Sequence, residues 1–265
     1  MDTLKPLWRK AVWIFMPLLM LGCAEGSTSN ASETVPIFSY KVIQSYPHDE
    51  GAFTQGLLFK DGYLYESTGL KGHSTVRRVN LEDGKILKAT RLEPTLYGEG
   101  LAAFSDDLIL LTWKAKTGFV LNRADLSAKY KFKYEGEGWG LASSSDSLFM
   151  SDGSSFIKVL DPQTLQEKSR FQVTELGTPV DKLNELEWVN GELYANIWKS
   201  DRIAKINPIS GAVTGWIDLK GLYKQRDPKY QGEDVLNGIA FDETGGRLFV
   251  TGKLWPYVYE IEITQ

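Results

Sequence analysis

A pattern of apolar runs separated by turn signals recurs five times along the chain. Each repeat opens with a similar tripeptide, and successive openings lie 44, 40, 45 and 53 residues apart. The openings are Gln55-Gly56-Leu57, Glu99-Gly100-Leu101, Trp139-Gly140-Leu141, Asn184-Glu185-Leu186 and Asn237-Gly238-Ile239. This spacing is typical of four-stranded propeller blades. The pattern therefore predicts a repeat protein built from β-sheet units.

Within each repeat, short alternating runs predict strands that are joined by tight turns. In the first repeat, the turn Asp61-Gly62 leads into a second apolar run from Tyr63 to Glu66. A third alternating run follows from Val76 to Asn80, and the turn Asp83-Gly84 leads into a fourth. Apolar runs bounded by such turn residues indicate β-hairpins. We find no amphipathic helix pattern between the runs.

The last repeat ends after three strands, at Tyr257 to Ile263. A missing fourth strand would leave an exposed sheet edge, and the alternating run Phe38 to Ile43 near the N-terminus would cover it. We therefore predict an all-β fold, a five-bladed β-propeller with four-stranded antiparallel blades. Its last blade is closed by the N-terminal strand, and the first strand of each blade lines the central channel.

The register of the repeats predicts which side chains meet at one mouth of that channel. A first set precedes the shared glycine position and comprises Gln55, Glu99, Trp139, Asn184 and Asn237. A second set follows 14 residues later, or 16 in the last repeat, and comprises Gly69, Trp113, Gly153, Trp198 and Lys253. Packing alone would favour one residue type at a symmetric position, whereas a site needs different groups around one ligand. The two sets therefore predict a binding site with an aromatic wall.

Composition and charge narrow the chemistry of this site. The chain has 265 residues, 42% of them hydrophobic, which is ordinary for a globular fold. Its formal net charge of −4 argues against binding to nucleic acid, because phosphate neutralisation needs a basic field. With 2 histidines and 1 cysteine, it has neither a three-histidine zinc site nor a disulfide framework. Mixed metal-ligand sets remain open.

The N-terminal segment has the layout of a secretory signal. Basic residues precede an apolar run from Ala11 to Leu21, which is too short to span a bilayer. The run ends in Gly22-Cys23, similar to the lipobox at which bacterial lipoproteins are cleaved and acylated. We expect a signal peptide over 1–22, a lipidated Cys23 with a flexible tether over 23–36, and the propeller over 37–265. The protein would then be an exported, membrane-anchored lipoprotein on the periplasmic or extracellular face; a buried free thiol is the alternative.

Eight ordered motifs in the chain resemble the plant and bacterial type of glutaminyl cyclase (glutaminyl-peptide cyclotransferase). They are Phe53-Thr54-Gln55-Gly56-Leu57, Glu66-Ser67-Thr68-Gly69-Leu70, Tyr97-Gly98-Glu99-Gly100-Leu101, Gly138-Trp139-Gly140-Leu141, Leu183-Asn184-Glu185-Leu186-Glu187, Ala195-Asn196-Ile197-Trp198, Val235-Leu236-Asn237-Gly238-Ile239-Ala240 and Val250-Thr251-Gly252-Lys253-Leu254-Trp255-Pro256. The resemblance extends from about Ser39 to Ile263. It implies a five-bladed propeller that converts N-terminal glutamine into pyroglutamate with release of ammonia, without the zinc of the animal enzymes or any other cofactor.

The same resemblance implies roles for individual residues. They are acid/base catalysis for Glu99, handling of the substrate carbonyl for Asn184 and Lys253, and substrate binding for Phe53, Gln55, Trp113, Trp139 and Trp198. The partners would be peptides or proteins with N-terminal glutamine. We expect the protein to be a monomer. The chemistry agrees with these residues, because the substrate's own α-amine attacks its side-chain carboxamide and no protein nucleophile is needed.

Two other functions remain open at the level of sequence, because fold does not fix function. One is a propeller that binds a peptide without catalysis. The other is a metal-dependent propeller lactonase, in which Glu99, Asn184 and Asn237 would ligate a divalent cation. Lys253 and the tryptophans are unsuited to a cation site, so we favour the cyclase.

Overall fold

The structure is a computed structural model that describes residues 1–3, 34–223 and 232–265. In these residues the secondary structure consists of strands, turns and bends. The strands are β1 (Ile37–Pro47), β2 (Thr54–Lys60), β3 (Tyr63–Thr68), β4 (Thr75–Asn80), β5 (Ile86–Arg91), β6 (Gly98–Phe104), β7 (Asp107–Thr112), β8 (Thr117–Asn122), β9 (Ala128–Lys133), β10 (Leu141–Ser143), β11 (Leu148–Met150), β12 (Phe156–Leu160), β13 (Glu167–Gln172), β14 (Thr174–Glu175), β15 (Thr178–Pro179), β16 (Leu183–Val189), β17 (Glu192–Ile197), β18 (Arg202–Ile206), β19 (Val213–Asp218), β20 (Leu236–Asp242), β21 (Arg247–Gly252) and β22 (Tyr257–Thr264). Over the same ranges there is no helix that could span a membrane. Cys23 and residues 4–22 of the expected signal peptide lie outside the described residues.

The strands pair into four-stranded antiparallel sheets in chain order. Three separate sheets contain β2 to β5, β6 to β9 and β10 to β13. A further sheet has the order β16-β17-β18-β19-β1-β22-β21-β20, and a short hairpin joins β14 to β15. The prediction of an all-β fold made of four-stranded antiparallel sheets is confirmed.

Strand β1 closes the last repeat, as the alternation near the N-terminus predicted. It pairs antiparallel with β22 from Ser39↔Thr264 to Pro47↔Tyr257. Its contact with β19 is parallel and limited to two residue pairs, Ile37↔Trp216 and Phe38↔Ile217. The eight-stranded sheet is thus two four-stranded halves that meet at one end of β1.

The first strands of these units form a closed circle. Strand β2 contacts β6 and β20, β6 contacts β10, β10 contacts β16, and β16 contacts β20. Five hydrophobic clusters lie between neighbouring units, each drawing residues from two of them. The cluster that includes Leu57 and Phe249 joins the last unit back to the first. This radial closure is the arrangement of a β-propeller.

Close approach of the first strands requires glycine at the repeated position. A Cβ at Gly56 would lie 2.5 Å from the main-chain nitrogen of Leu101, and one at Gly100 would lie 2.5 Å from that of Leu141. The fourth repeat departs from this pattern, because Glu185 replaces the glycine. Its buried carboxylate accepts hydrogen bonds from main-chain N–H groups of β2 and β20, at 3.3 and 2.9 Å, and so ties three first strands together.

Substituting Gly100 with alanine should destabilise the fold, because the added methyl group meets backbone rather than a movable side chain. Overpacking of this kind typically costs about 1–3 kcal/mol. For a domain of this size, each kcal/mol lowers the melting temperature by roughly 2–4 °C. Thermal unfolding followed by circular dichroism measures the effect. The control is Gly51→Ala, whose Cβ would meet only the Asp49 side chain, 3.2 Å away; equal melting temperatures for the two variants would contradict the account.

Candidate active site

Seven members of the first and second sets line a cavity of about 370 Å³ at one mouth of the circle of first strands. Its lining consists of Phe53, Gln55, Tyr97, Glu99, Trp113, Lys114, Glu137, Trp139, Asn184, Trp198, Glu233 and Lys253. The structure thus brings the eight residues to which catalytic or binding roles were assigned into one place. A second cavity lies at the other end of the first strands, between Leu58 and Phe241, and contains none of the eight.

Antiparallel pairing explains why residues 14 positions apart lie side by side. Each first strand begins at this mouth and the second strand of the same sheet returns to it. Equivalent main-chain hydrogen bonds then fix the second set: Gly69 N–H to Phe53 O, Trp113 to Tyr97, Trp198 to Lys182 and Lys253 to Val235, at 2.8, 3.0, 2.9 and 2.9 Å. In each case the acceptor lies two residues before a member of the first set.

β-Bulges turn the first set toward the cavity. The pairing register shifts between Thr54 and Gly56, and equivalent shifts lie at Gly98/Leu101, Leu183/Leu186 and Leu236/Ile239. A bulge leaves a residue out of the ladder and redirects its side chain. Gln55, Glu99, Asn184 and Asn237 each lie within one of these shifts.

Glu99 is a buried carboxylic acid in the lining of the cavity, with 5% of its surface exposed. Burial raises its pKa well above the ordinary 4.5 because desolvation disfavours the charged form. The positive charge of Lys253 opposes this rise, and the negative charge of Glu137 adds to it. Glu99 therefore holds a proton to a higher pH than an exposed glutamate would.

A chain of side-chain amides leads to Glu99. Asn237 Nδ2 donates to Gln55 Oε1 at 3.2 Å, which leaves the Gln55 Nε2 group to donate to Glu99 Oε1 at 3.2 Å. Gln55 Nε2 also lies 3.4 Å from the hydroxyl oxygen of Tyr97. Asn237 does not line the cavity, but its hydrogen bond orients the Gln55 amide so that the Nε2 group, and not the Oε1 atom, faces Glu99.

Lys253 and Asn184 supply hydrogen-bond donors beside Glu99. Both are buried, and the Lys253 Nζ lies 4.6 Å from the centroid of the Phe53 ring. Burial lowers the pKa of Lys253, although the charges of Glu99 and Glu233 oppose the shift. Within residues 34–223 and 232–265, neither Lys253 Nζ nor the Asn184 side-chain amide makes a hydrogen bond, so both can meet a ligand.

Aromatic rings form the wall of the cavity in two pairs. Tyr97 and Trp113 have ring centroids 5.6 Å apart, and Trp139 and Trp198 meet edge to face at 5.8 Å. The glycines of the second set make room for these rings. A Cβ at Gly69 would collide with Tyr97, and one at Gly153 would lie 2.8 Å from Trp139.

The chain matches the family model for glutamine cyclotransferase over residues 15–263. It belongs to this family. It is 43% identical over 257 residues to the glutaminyl-peptide cyclotransferase of Arabidopsis thaliana. The matched region covers 95% of this chain and 79% of that protein. It is also similar to the crystal structure of the Myxococcus xanthus glutaminyl cyclase, with a TM-score of 0.81 and 37% identity over 88% of this chain and 99% of that one.

Four cavity residues of this cyclotransferase family member were not predicted from the repeats: Tyr97, Lys114, Glu137 and Glu233. Tyr97 and Glu137 lie two residues before Glu99 and Trp139, and Lys114 follows Trp113 directly. Alternate residues of an extended chain point the same way, which is a signal that could have found the first two. Tyr97 and Glu137 occupy the repeat position two residues before the first set, which Phe53 also occupies, so a comparison extended by two residues would have revealed them.

Among the residues that the structure describes, no group of three or more His, Cys, Asp or Glu side chains is placed to hold a metal ion. His48 is already engaged, since its Nε2 lies 3.0 Å from Glu66 Oε1 and its Nδ1 lies 2.7 Å from the carbonyl oxygen of Trp255. His73 does not line the cavity.

Replacing Glu99 with glutamine should stabilise this cyclotransferase family member in a pH-dependent way. Below about pH 4.5 the carboxyl is protonated in both the folded and the unfolded chain. As the pH rises, the unfolded chain ionises first, so the wild type loses stability up to the raised pKa of the folded state. The side-chain amide of the variant does not ionise, so the variant has no such loss. Urea unfolding across this range should show an advantage of Glu99→Gln that grows with pH; a difference independent of pH would contradict it.

Proposed function

We propose that the protein converts the N-terminal glutamine of peptides or proteins into pyroglutamate, with release of ammonia, by metal-independent intramolecular aminolysis. Its family membership supports the reaction. The observation that carries the mechanism is that the buried Glu99 lines the same aromatic cavity as the buried donors Lys253 and Asn184. We also propose that the active form is a monomer.

Glu99 carries the proton through the reaction. The substrate's α-amine has a pKa of roughly 7.7–8.0 and must lose a proton before it attacks. Because burial raises the pKa of Glu99 toward that of the amine, the proton transfer becomes less uphill. Glu99 takes one proton from the substrate ammonium group, and the neutral amine then attacks to form the new C–N bond. Glu99 returns this proton to the carboxamide nitrogen as the old C–N bond breaks, and the departing ammonia accepts the second proton of the former amine nitrogen, so that the lactam and ammonium are the products.

Lys253 and Asn184 meet the charge that develops on the substrate carbonyl oxygen. Attack by the amine converts that oxygen into a tetrahedral oxyanion. Donors already held in place stabilise such a charge, and the loss of one well-placed donor costs roughly 3–4 kcal/mol in other enzymes. The indole rings hold the aliphatic part of the glutamine and exclude water, which favours lactam closure over hydrolysis to glutamate.

Incubation with a Gln-initiated peptide should produce a product lighter by one ammonia in mass spectrometry. Glu99→Gln should lower the rate by at least about 100-fold while the fold persists, because general acid–base catalysis contributes about 100- to 10,000-fold. A matched peptide with acetylated N-terminus is the substrate control, since its nitrogen cannot attack. A wild type that binds the peptide without releasing ammonia would instead support the non-catalytic propeller.

Chelation should leave cyclisation unchanged. Lys253 supplies the positive charge that a Lewis acid would otherwise bring to the carbonyl oxygen. We expect equal rates before and after exhaustive treatment with EDTA or 1,10-phenanthroline, and no stoichiometric metal by elemental analysis. Activity that is lost on chelation and restored by one divalent ion would contradict the metal-free mechanism and favour a metal-dependent propeller.

We also propose that the protein is exported and anchored to a membrane through acylated Cys23. The short apolar run followed by Gly22-Cys23 supports this localisation. Cys23→Ser should leave the soluble fraction of the enzyme active and remove it from the membrane fraction, because acylation needs the thiol. Detergent-free lysis and fractionation measure the partition. Equal partition of both proteins would mean that Cys23 is not the anchor.

A further inference from the structure

We infer that Glu137 is a positioning residue of this site, holding two walls of the aromatic cavity in register through one carboxylate oxygen. Its Oε2 accepts a hydrogen bond from Trp113 Nε1 at 2.7 Å and another from Trp139 Nε1 at 3.0 Å. The consequence for turnover rests on the proposed function, whereas the structural part of the inference does not.

The two tryptophans come from different sheets, so no regular strand pairing aligns them. Trp113 follows β7, whereas Trp139 precedes β10 of the next sheet. Glu137 lies in the loop between β9 and β10 and reaches both indole groups. Hydrogen bonds to an ionised acceptor are stronger than neutral ones, and a half-buried indole N–H without an acceptor is unfavourable. Removing the carboxylate would therefore free both rings together.

The other carboxylate oxygen is also engaged. Lys114 Nζ lies 3.6 Å from Glu137 Oε1 and 4.1 Å from the centroid of the Trp113 ring. Lys114 thus lies over one face of the Trp113 indole, and Glu137 accepts the hydrogen bond from the N–H group of the same indole. Because Glu137 is a member of the cavity lining and half-exposed, its charge also reaches the substrate space.

Besides holding the two tryptophans, Glu137 affects the ionisation of Glu99 through its negative charge. Burial is the main cause of the raised pKa of Glu99; the positive charge of Lys253 opposes the rise, and the negative charge of Glu137 adds to it. The other ionisable groups on this cavity are Tyr97, Lys114 and Glu233. Tyr134, which is buried, also interacts with the charge of Glu99. None of these groups accepts the indole N–H bonds, so Glu137 alone among the described residues links the tryptophans to the charge balance of the acid.

Two substitutions separate the two effects of Glu137. Glu137→Gln keeps a side-chain oxygen that can accept both N–H groups but removes the charge, whereas Glu137→Ala removes both. Glu135→Gln is the matched control, because Glu135 lies two residues away and its carboxylate, which is 90% exposed, pairs with the surface residue Lys116. Circular dichroism melts of all three variants establish that each one folds.

The first readout needs no turnover. In protein labelled with ¹⁵N-tryptophan, the indole N–H signals of Trp113 and Trp139 are assigned by Trp→Phe variants. Glu137→Ala should shift both signals together, while those of Trp216 and Trp255, which bond to other acceptors, stay in place. A shift of only one signal, or of neither, would overturn the inference even if the enzyme is a cyclase. The same shifts would stand if the protein released no ammonia.

The second readout is steady-state cyclisation of a Gln-initiated peptide across pH. Glu137→Ala should raise KM by about tenfold, which corresponds to about 1.4 kcal/mol, with little change in kcat. Glu137→Gln should restore KM and move the acid limb of kcat/KM to lower pH, because the pKa of Glu99 falls when the neighbouring negative charge is lost. An unchanged KM in Glu137→Ala, or an unmoved acid limb in Glu137→Gln, would overturn the positioning role.

Discussion

The close approach of the first strands around one axis is the constraint on which the rest of the molecule depends. Backbone meets backbone so tightly at Gly56 and Gly100 that a single methyl group has no space. At the mouth just before this contact, each of four first strands departs from regular pairing through a bulge. The side chains that leave the ladder there have one direction available, toward the axis. The close packing of the first strands thus places the site residues together at the mouth of the channel.

The same crowding sets the electrostatics of the site. A filled channel with Glu185 across it and aromatic rings at its mouth admits little water around Glu99 and Lys253. Desolvation raises the pKa of Glu99 and lowers the pKa of Lys253, so the proton affinities of these two groups become more similar. A carboxyl group with a raised pKa takes a proton from a substrate amine more readily than an exposed carboxylate would, which is the role that we propose for Glu99.

Much of this architecture was predictable because rotational repeats turn sequence spacing into spatial equivalence. Counting 14 residues from Glu99 reaches Trp113, and the structure places the two beside one cavity. The bulges were not predictable, because they arise from packing between sheets rather than from local alternation. The sequence shows that Glu185 replaces the repeated glycine, but it does not show that the Glu185 side chain accepts hydrogen bonds from two other first strands. The alternation of side chains could have placed Glu137 beside Trp139, but its hydrogen bond to Trp113 was not predictable, because Trp113 becomes a neighbour only after two sheets pack together.

The most direct test of the account is the ionisation of Glu99 itself. In protein labelled with ¹³C at glutamate carboxyl groups, the Glu99 resonance can be assigned with Glu99→Gln and followed through a pH titration of the folded enzyme. The account predicts a titration midpoint well above the ordinary 4.5, because the crowded mouth withholds water from the carboxylate. A midpoint at or below 4.5 in the folded protein would contradict it.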